Sequence, residues 1–396
     1  MKLAKLGELT KITIGRTPSR GNDDFWDKNK ATSNVWLSIA DLLNADGKTV
    51  SDSKEYITDE AAEKFAIVPQ GTLLVSFKLT LGRLAYAGRN LRTNEAIAAL
   101  HNDEDEVLND YLYHYLSRFD WNNYAAADQK VKGLTLNKAK LAEIPIEYPE
   151  SLEEQQRIVA RLDAAFERIS AAEVLMRRNL DNVATLFQSE CHDIFTGNQW
   201  PTCELSEYVK FIDYRGRTPK KTKSGMRLIT AKNIKLGHLQ QEPREYVDPE
   251  IYDEWMTRGV PKKGDVLFTT EAPLANVAQL DTEDRVVFAQ RCIILQPNRS
   301  VFNPAFLKYM LMVDPVRANI FTYGTGTTVQ GIKASLLKKI KVFQPTTTEQ
   351  EKVVLRLDRL SNQTRKLQTL YQYKLNKLED LRQSLLSEAF SLNEVK

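Results

Sequence analysis

Glu154-Gln155-Gln156-Arg157-Ile158-Val159-Ala160-Arg161-Leu162-Asp163 returns further along the chain as Glu349-Gln350-Glu351-Lys352-Val353-Val354-Leu355-Arg356-Leu357-Asp358. Glu, Gln, Val, Arg, Leu and Asp recur at one offset of 195 residues (349 − 154 = 195). The same offset pairs Leu186, Gln188, Ser189 and Phe195 with Leu381, Gln383, Ser384 and Phe390. An offset held from Glu154 to Phe195 marks a duplicated segment in which no residue has been gained or lost.

Each copy opens like a helix. Ser151-x-x-Glu154 and Thr346-x-x-Glu349 are capping boxes, and segments 152–196 and 347–396 contain neither Pro nor Gly. Apolar residues then come at alternating steps of four and three, which makes a heptad seam. In the first copy the seam reads Ile158, Leu162, Ala165, Ile169, Ala172, Met176, Val183 and Leu186. In the second it reads Val353, Leu357, Leu360, Leu367, Tyr371, Leu378, Leu381 and Leu385. Asn179 and Lys374 interrupt the seams at equivalent positions, and Thr364 interrupts the second once more. Such a polar residue either fixes register or is a solvated flaw. A helix of this length spans roughly 60 Å and would leave its seam exposed if alone. The simplest burial is antiparallel pairing with its twin.

Outward from the helices, the preceding stretches also repeat, with drifting offsets. Gly15-Arg16-Thr17-Pro18 matches Gly216-Arg217-Thr218-Pro219, Tyr56 matches Tyr246, Gly71 matches Gly264, and Ile144 matches Ile340. Loops tolerate insertion, whereas a helix that sets a distance does not. Short aliphatic runs predict strands at 72–78, 84–87 and 97–100, and again at 266–270, 275–280 and 292–296. Helical spacing covers 107–117 and 304–313, and a last strand precedes Pro149 or Pro345. The expected fold is α+β: two similar mixed α/β domains joined by two long helices paired as an antiparallel coiled coil, with pseudo-two-fold symmetry. The expected segments are 1–150, 151–197, 198–345 and 346–396. A pseudo-two-fold object suits a two-fold partner, and duplex DNA is a common one.

Composition narrows the class. The chain has 396 residues, 42% of them apolar, with a net charge of +3. That is enough for two or three domains with real cores, and any nucleic-acid site must be a local patch. Three cysteines, Cys191, Cys203 and Cys292, show no CxxC spacing, which fits a reducing cytoplasm without a disulfide framework. The N-terminus carries no apolar signal run, and no stretch approaches a membrane span. The reading is a soluble cytoplasmic protein.

Catalytic patterns are missing. There is no GxxxxGK[ST] phosphate loop, and Gly324-Thr325-Gly326 does not continue to GxGxxG. The four histidines are scattered. No metal site, cofactor site or catalytic residue is expected.

Basic and polar residues do cluster in predicted loops. Arg215, Arg217, Lys220, Lys221 and Lys223 crowd around the second Gly-Arg-Thr-Pro turn, and Arg16, Thr17 and Arg20 lie at the first. Such loops can neutralise phosphates, and arginine can fork onto guanine. A second cluster precedes the last strand of each half, with Lys130 and Lys132 in one copy and Thr325, Thr327, Gln330 and Lys333 in the other. Its glycines let backbone approach a ligand closely, although a plain surface loop has the same composition. Lys78 and Arg83, between two predicted strands, form a third candidate whose ordinary reading is an exposed turn.

These residues together carry a resemblance over the whole length. The turn opening each half, the loop before Ile144-Pro145-Ile146-Glu147-Tyr148-Pro149 or Ile340-Lys341-Val342-Phe343-Gln344-Pro345, and the proline before the repeated long helix resemble the specificity subunits of type I restriction–modification systems. The resemblance implies two target recognition domains, each reading half of a split, asymmetric DNA site. It implies two methyltransferase subunits as partners, which methylate adenine N6 with S-adenosylmethionine bound by them, and restriction subunits that can join. Lys341 stands where the first copy has Pro145, which affects only a strand edge. The competing reading is a coiled-coil adaptor whose globules bind proteins without reading DNA.

Overall fold

The computed structural model describes residues 1–45, 47–126, 129–130, 133–214, 218–326 and 330–391, with backbone only at 129, 130, 133, 134 and 391. The repeated stretch is helical in both copies, over Leu152–Thr196 and Thr347–Ser391. The chain forms two compact units. One comprises Met1–Leu175 with Lys374–Lys396, and the other Met176–Tyr373. Each unit therefore holds one α/β globule and a part of each long helix.

In the first unit a five-stranded sheet runs in the order Lys11–Ile14, Ile97–His101, Leu73–Ser76, Leu84–Ala87, Thr49–Val50. Its centre is the aliphatic run Leu73–Ser76, buried at every residue as a strand covered on both faces must be. A three-stranded sheet orders Glu55–Tyr56, Val35–Leu37 and Arg92–Thr93. Lys2–Lys5 pairs antiparallel with Pro145–Tyr148, so the first and last strands of the globule meet. The second unit repeats this plan. Thr202–Glu204 closes on Lys341–Phe343. One four-stranded sheet holds Val209–Asp213, Cys292–Pro297, Val266–Thr269 and Val277–Gln279. Another holds Lys221–Thr222, Glu245–Val247, Met226–Ile229 and Val287–Phe288.

The long helices enter both cores. Leu162, Leu386 and Phe390 pack with Tyr111 and Leu112 in the first unit, and Phe195 and Leu357 with Phe306 and Ile340 in the second. In the first unit Arg161 bonds Glu388 at 3.2 Å, while Ser170 and Glu173 meet Arg382 at 3.3 and 3.6 Å. One number rises as the other falls, so the two segments are antiparallel. In the second unit Arg356 pairs with Glu190.

The seam departs from the expected heptads. Leu162, Ile169, Val183 and Leu357 are buried, and Ile158, Met176, Val353 and Leu378 are half-buried. Leu186, Leu367 and Leu381 are exposed, the last two by 38% and 46%, whereas Leu375 and Leu386 are exposed by only 8% and 3%. Thr364 is buried, its hydroxyl donating to the Leu360 and Ser361 carbonyls, and Lys374 points outward. Thr364, Leu375 and Leu386 stand 11 residues apart (375 − 364 = 11; 386 − 375 = 11). A straight helix drifts by about 20° per heptad against a strict 3.5-residue repeat, and an eleven-residue spacing tracks that drift.

Candidate nucleic-acid interface

The strand Lys11–Ile14 delivers the chain to Gly15, where an added Cβ would overlap the Thr93 carbonyl oxygen. Glycine is required by that approach. Arg16 N–H donates to Thr93 O at 2.9 Å, and Arg16 O accepts from Trp36 Nε1 at 3.0 Å. The Thr17 hydroxyl donates to the Glu95 carboxylate, Pro18 is buried, and Ser19 O accepts from Trp26 Nε1 at 3.1 Å. Arg20 forks onto Glu55, with Nη2 3.0 Å from Oε2. Its guanidinium lies 4.1 Å from the Trp26 ring centroid and 5.1 Å from that of Trp36. Arg16 is exposed, and its guanidinium has no hydrogen bond or ion pair among the described residues.

The other two candidate segments come to the same place. Lys78 forms an antiparallel bridge with Thr135, and Leu136 N–H donates to Phe77 O at 3.0 Å. Glu95 is held below the usual carboxylate range, first by the Thr17 hydroxyl and also by the charges of Lys78 and Arg20. Turn and central-strand loop thus act on one carboxylate, and the pre-terminal loop joins them through its bridge to Lys78. Lys130 sits in a two-residue ladder, Gln129–Lys130 against Gly133–Leu134. Lys132 lies outside the described residues. Arg83 faces inward: its guanidinium donates to Ile39 O at 3.1 Å and its backbone N–H to Ser76 Oγ at 2.9 Å.

In the second unit Arg215, Arg217 and Thr327 lie outside the described residues. Lys220 and Lys223 are exposed. Lys221 lies in a strand against Glu245–Val247, its Nζ 2.8 Å from Glu245 Oε1. Ile332 N–H donates to Thr270 O at 3.0 Å, which repeats the bond from Leu136 to Phe77. Glu271 bridges Gly331, Thr325 pairs with Gly331, and Gln330 and Lys333 are exposed beside them. Arg291 holds Glu271 at 2.9 Å, so this face carries an acid where the first carries Lys78.

Sequence reasoning missed two sets of residues. Glu55 and Glu245 belong to a second repeat, Lys54-Glu55-Tyr56 and Arg244-Glu245-Tyr246, in which the matched tyrosines were the available signal. The repeated glutamine also has a role. Gln155 is buried, donates to Glu106 O and Pro149 O at 2.8 Å, and accepts Leu108 N–H at 2.9 Å. Gln350 does the same with Val301 O at 2.8 Å, Pro345 O at 2.9 Å and Asn303 N–H at 2.7 Å. Each glutamine clamps a long helix to the loop before its globule's main helix. Asp163 and Asp358 complete the seat, the first bonding Lys48 at 2.7 Å and His114 at 2.8 Å, the second accepting from the Tyr309 hydroxyl at 2.5 Å.

This architecture defines a duplicated α+β protein in which each globule is paired with parts of two long helices. The chain belongs to the family described as type I restriction modification DNA specificity domain, whose profile matches residues 1–173 and 253–377. A putative type I restriction enzyme specificity subunit of Haemophilus influenzae is 24% identical over 270 residues, 66% of this chain and 67% of that one. A specificity subunit of Methanocaldococcus jannaschii is 28% identical over 166 residues, 40% of this chain and 36% of the relative. One from Escherichia coli is 31% identical over 171 residues, 40% of this chain and 39% of the relative. A chain solved in a study of complex assembly and conformational transition of the type I R-M system superposes with a TM-score of 0.75 at 18% identity, covering 98% of this chain and 97% of that chain. The HsdS subunit of Thermoanaerobacter tengcongensis gives 0.56 at 18% identity, covering 98% and 96%. At that identity the likeness concerns the fold. Among the described residues no helix is long and apolar enough to cross a membrane, and no group of His, Cys, Asp or Glu could hold a metal ion.

Proposed function

We propose that this chain is the non-catalytic, DNA-reading subunit of a cytoplasmic type I restriction–modification complex. Each unit reads one half of a split, asymmetric site in duplex DNA. Two methyltransferase subunits, holding S-adenosylmethionine, dock on the chain and methylate adenine N6, and restriction subunits join that assembly. One observation carries the reading. In both units the pre-terminal loop is stitched to the central-strand loop by the same backbone bond, beside surface cations: exposed Arg16 and half-buried Lys78 in one unit, exposed Lys333 in the other. Val174 and Leu175 in the first unit and Leu355 and Leu370 in the second are exposed apolar residues of the long helices, which suits protein partners.

Methylation mapping of host DNA tests this. Deleting the gene should abolish a split adenine-methylated motif, and exchanging residues 198–345 for those of another family member should change one half of it. A methylome untouched by deletion, or methyl transfer by the chain alone, refutes the proposal.

A further inference from the structure

The basic residues around the turns are not equivalent. Arg20 lies 201 residues before Lys221, the offset that relates the two Gly-Arg-Thr-Pro turns (216 − 15 = 201). Glu55 lies 190 before Glu245, the offset that relates Tyr56 to Tyr246 (246 − 56 = 190). Two different offsets therefore bring equivalent residues together: Arg20 on Glu55 and Lys221 on Glu245. Arg20 and Lys221 are exposed while Glu55 and Glu245 are half-buried, and ion pairs with exposed members add little to global stability. Their reproduction across eleven residues of loop-length difference (201 − 190 = 11) points to a local task.

We infer that Arg20 and Lys221 are positioning residues, which with Glu55 and Glu245 form a duplicated brace that holds the segment after each Gly-Arg-Thr-Pro turn, and that neither neutralises a DNA phosphate. The inference rests on the proposed DNA reading and deepens it. In the first unit the mechanism is visible atom by atom. Glu55 holds the Arg20 guanidinium, which covers Trp26 and Trp36. Those two indoles meet edge to face at 5.1 Å and donate their N–H groups to Ser19 O and Arg16 O. The cation thus fixes the rings that fix the turn. The braced turn presents the exposed guanidinium of Arg16. In the second unit Lys221 is placed by its strand pairing with Val247, one strand from Met226–Ile229.

Glu55→Gln separates the two roles by sign. If Arg20 neutralised phosphate, removing a competing carboxylate would tighten DNA binding. If Arg20 is a brace, the same change loosens the turn and weakens it. The measurement uses the full chain assembled with its methyltransferase subunits and a labelled duplex carrying the methylated motif read from host DNA. Glu55→Gln and Arg20→Gln should each weaken binding about tenfold through the first half-site, the scale of one mismatched base pair. The log–log salt slope should hold, whereas a lost phosphate contact lowers it by about 0.9. Hydrogen exchange of the Gly15–Arg20 amides in the full chain should quicken without any DNA present. Arg20→Lys should lie closer to the unaltered protein than Arg20→Gln in both binding and exchange, because lysine fills the place at 221, and Glu245→Gln should affect the second half-site alone. Tighter binding by Glu55→Gln, or a lower slope in Arg20→Gln with unchanged exchange, overturns the brace. Failure of the unaltered complex to bind the duplex in a salt-dependent way would sink the DNA reading instead, and the exchange result would still judge the brace.

Discussion

Positions 114 and 309 are equivalent (309 − 114 = 195), yet a histidine meets the helix aspartate in one unit and a tyrosine in the other. His114 is fully buried, and its Nδ1 has no hydrogen-bond partner. Burial pushes its pKa below the ordinary 6.5, the Lys48 charge 3.2 Å away adds to that, and Asp163 and Asp110 pull the other way without prevailing. Tyr113 and Phe166 supply the apolar walls. Asp163 stays charged against its own burial because Lys48 and His114 donate to it, so its titration lies below 3.8. For His114 the sign is fixed by the depressed pKa. Below 6.5 the unfolded histidine takes a proton and the folded one does not, so the unfolded state binds more protons and stability is lost as pH falls. His114→Tyr should remove this loss, on the order of 1 kcal/mol for each pKa unit of depression. Thermal melting between about pH 7 and pH 5 checks it, because His101 and His238, also depressed by burial, titrate in both proteins. A variant with an equal or steeper acid loss would refute the account. Asp163 and Gln155 were legible as repeated letters. Their partners were not: Gln155 bonds backbone groups of the loop at Glu106–Leu108, which leave no mark on the sequence, and Asp163 bonds the distant side chains of Lys48 and His114.

Among elements, the long helices were the most legible and their seams only partly so. The capping box at Thr346 closes in both directions, by Thr346 N–H to Glu349 at 2.9 Å and Glu349 N–H to Thr346 Oγ1 at 3.3 Å. At Ser151 the carboxylate of Glu154 turns to Arg157 instead, and only the serine cap, 3.3 Å long, remains. The missing Pro and Gly agree with helices over Leu152–Thr196 and Thr347–Ser391, and residues 392–396 of the second expected helix lie outside the described residues. A strict heptad was insufficient to predict the buried face, because helical drift moves it from Leu381 to neighbouring positions such as Leu386. Leu375 and Leu381 belong to the same unit, which makes a clean comparison. Leu375→Ala should cost about 2–4 kcal/mol, as a truncated core leucine does. Leu381→Ala should stay within about 0.5 kcal/mol, as exposed substitutions usually do. Urea unfolding of both variants decides it. Equal costs would mean that the buried stripe keeps its heptads.

For the whole molecule, the duplication was legible in both composition and order. The sequence concealed that each compact unit draws on both long helices, the first changing unit after Leu175 and the second after Tyr373. A ruler built from them must therefore be lengthened in both at once, since the cross-helix bonds of Arg161 and Arg382 in one unit and Arg356 in the other fix where the two helices meet. Four residues added after Leu175 and four after Tyr373 lengthen each helix by about 6 Å and rotate the downstream part by roughly 40°. B-DNA rises about 3.4 Å per base pair, so the spacer between half-sites should grow by about two base pairs. Seven residues in each helix keep the apolar face better aligned and should add about three. The half-site bases should stay the same, because no reading loop is touched. The methylated motif written by each variant complex is the measurement. An active complex that keeps the original spacer would show that the helices seat the partner subunits without setting the distance between the halves of the site.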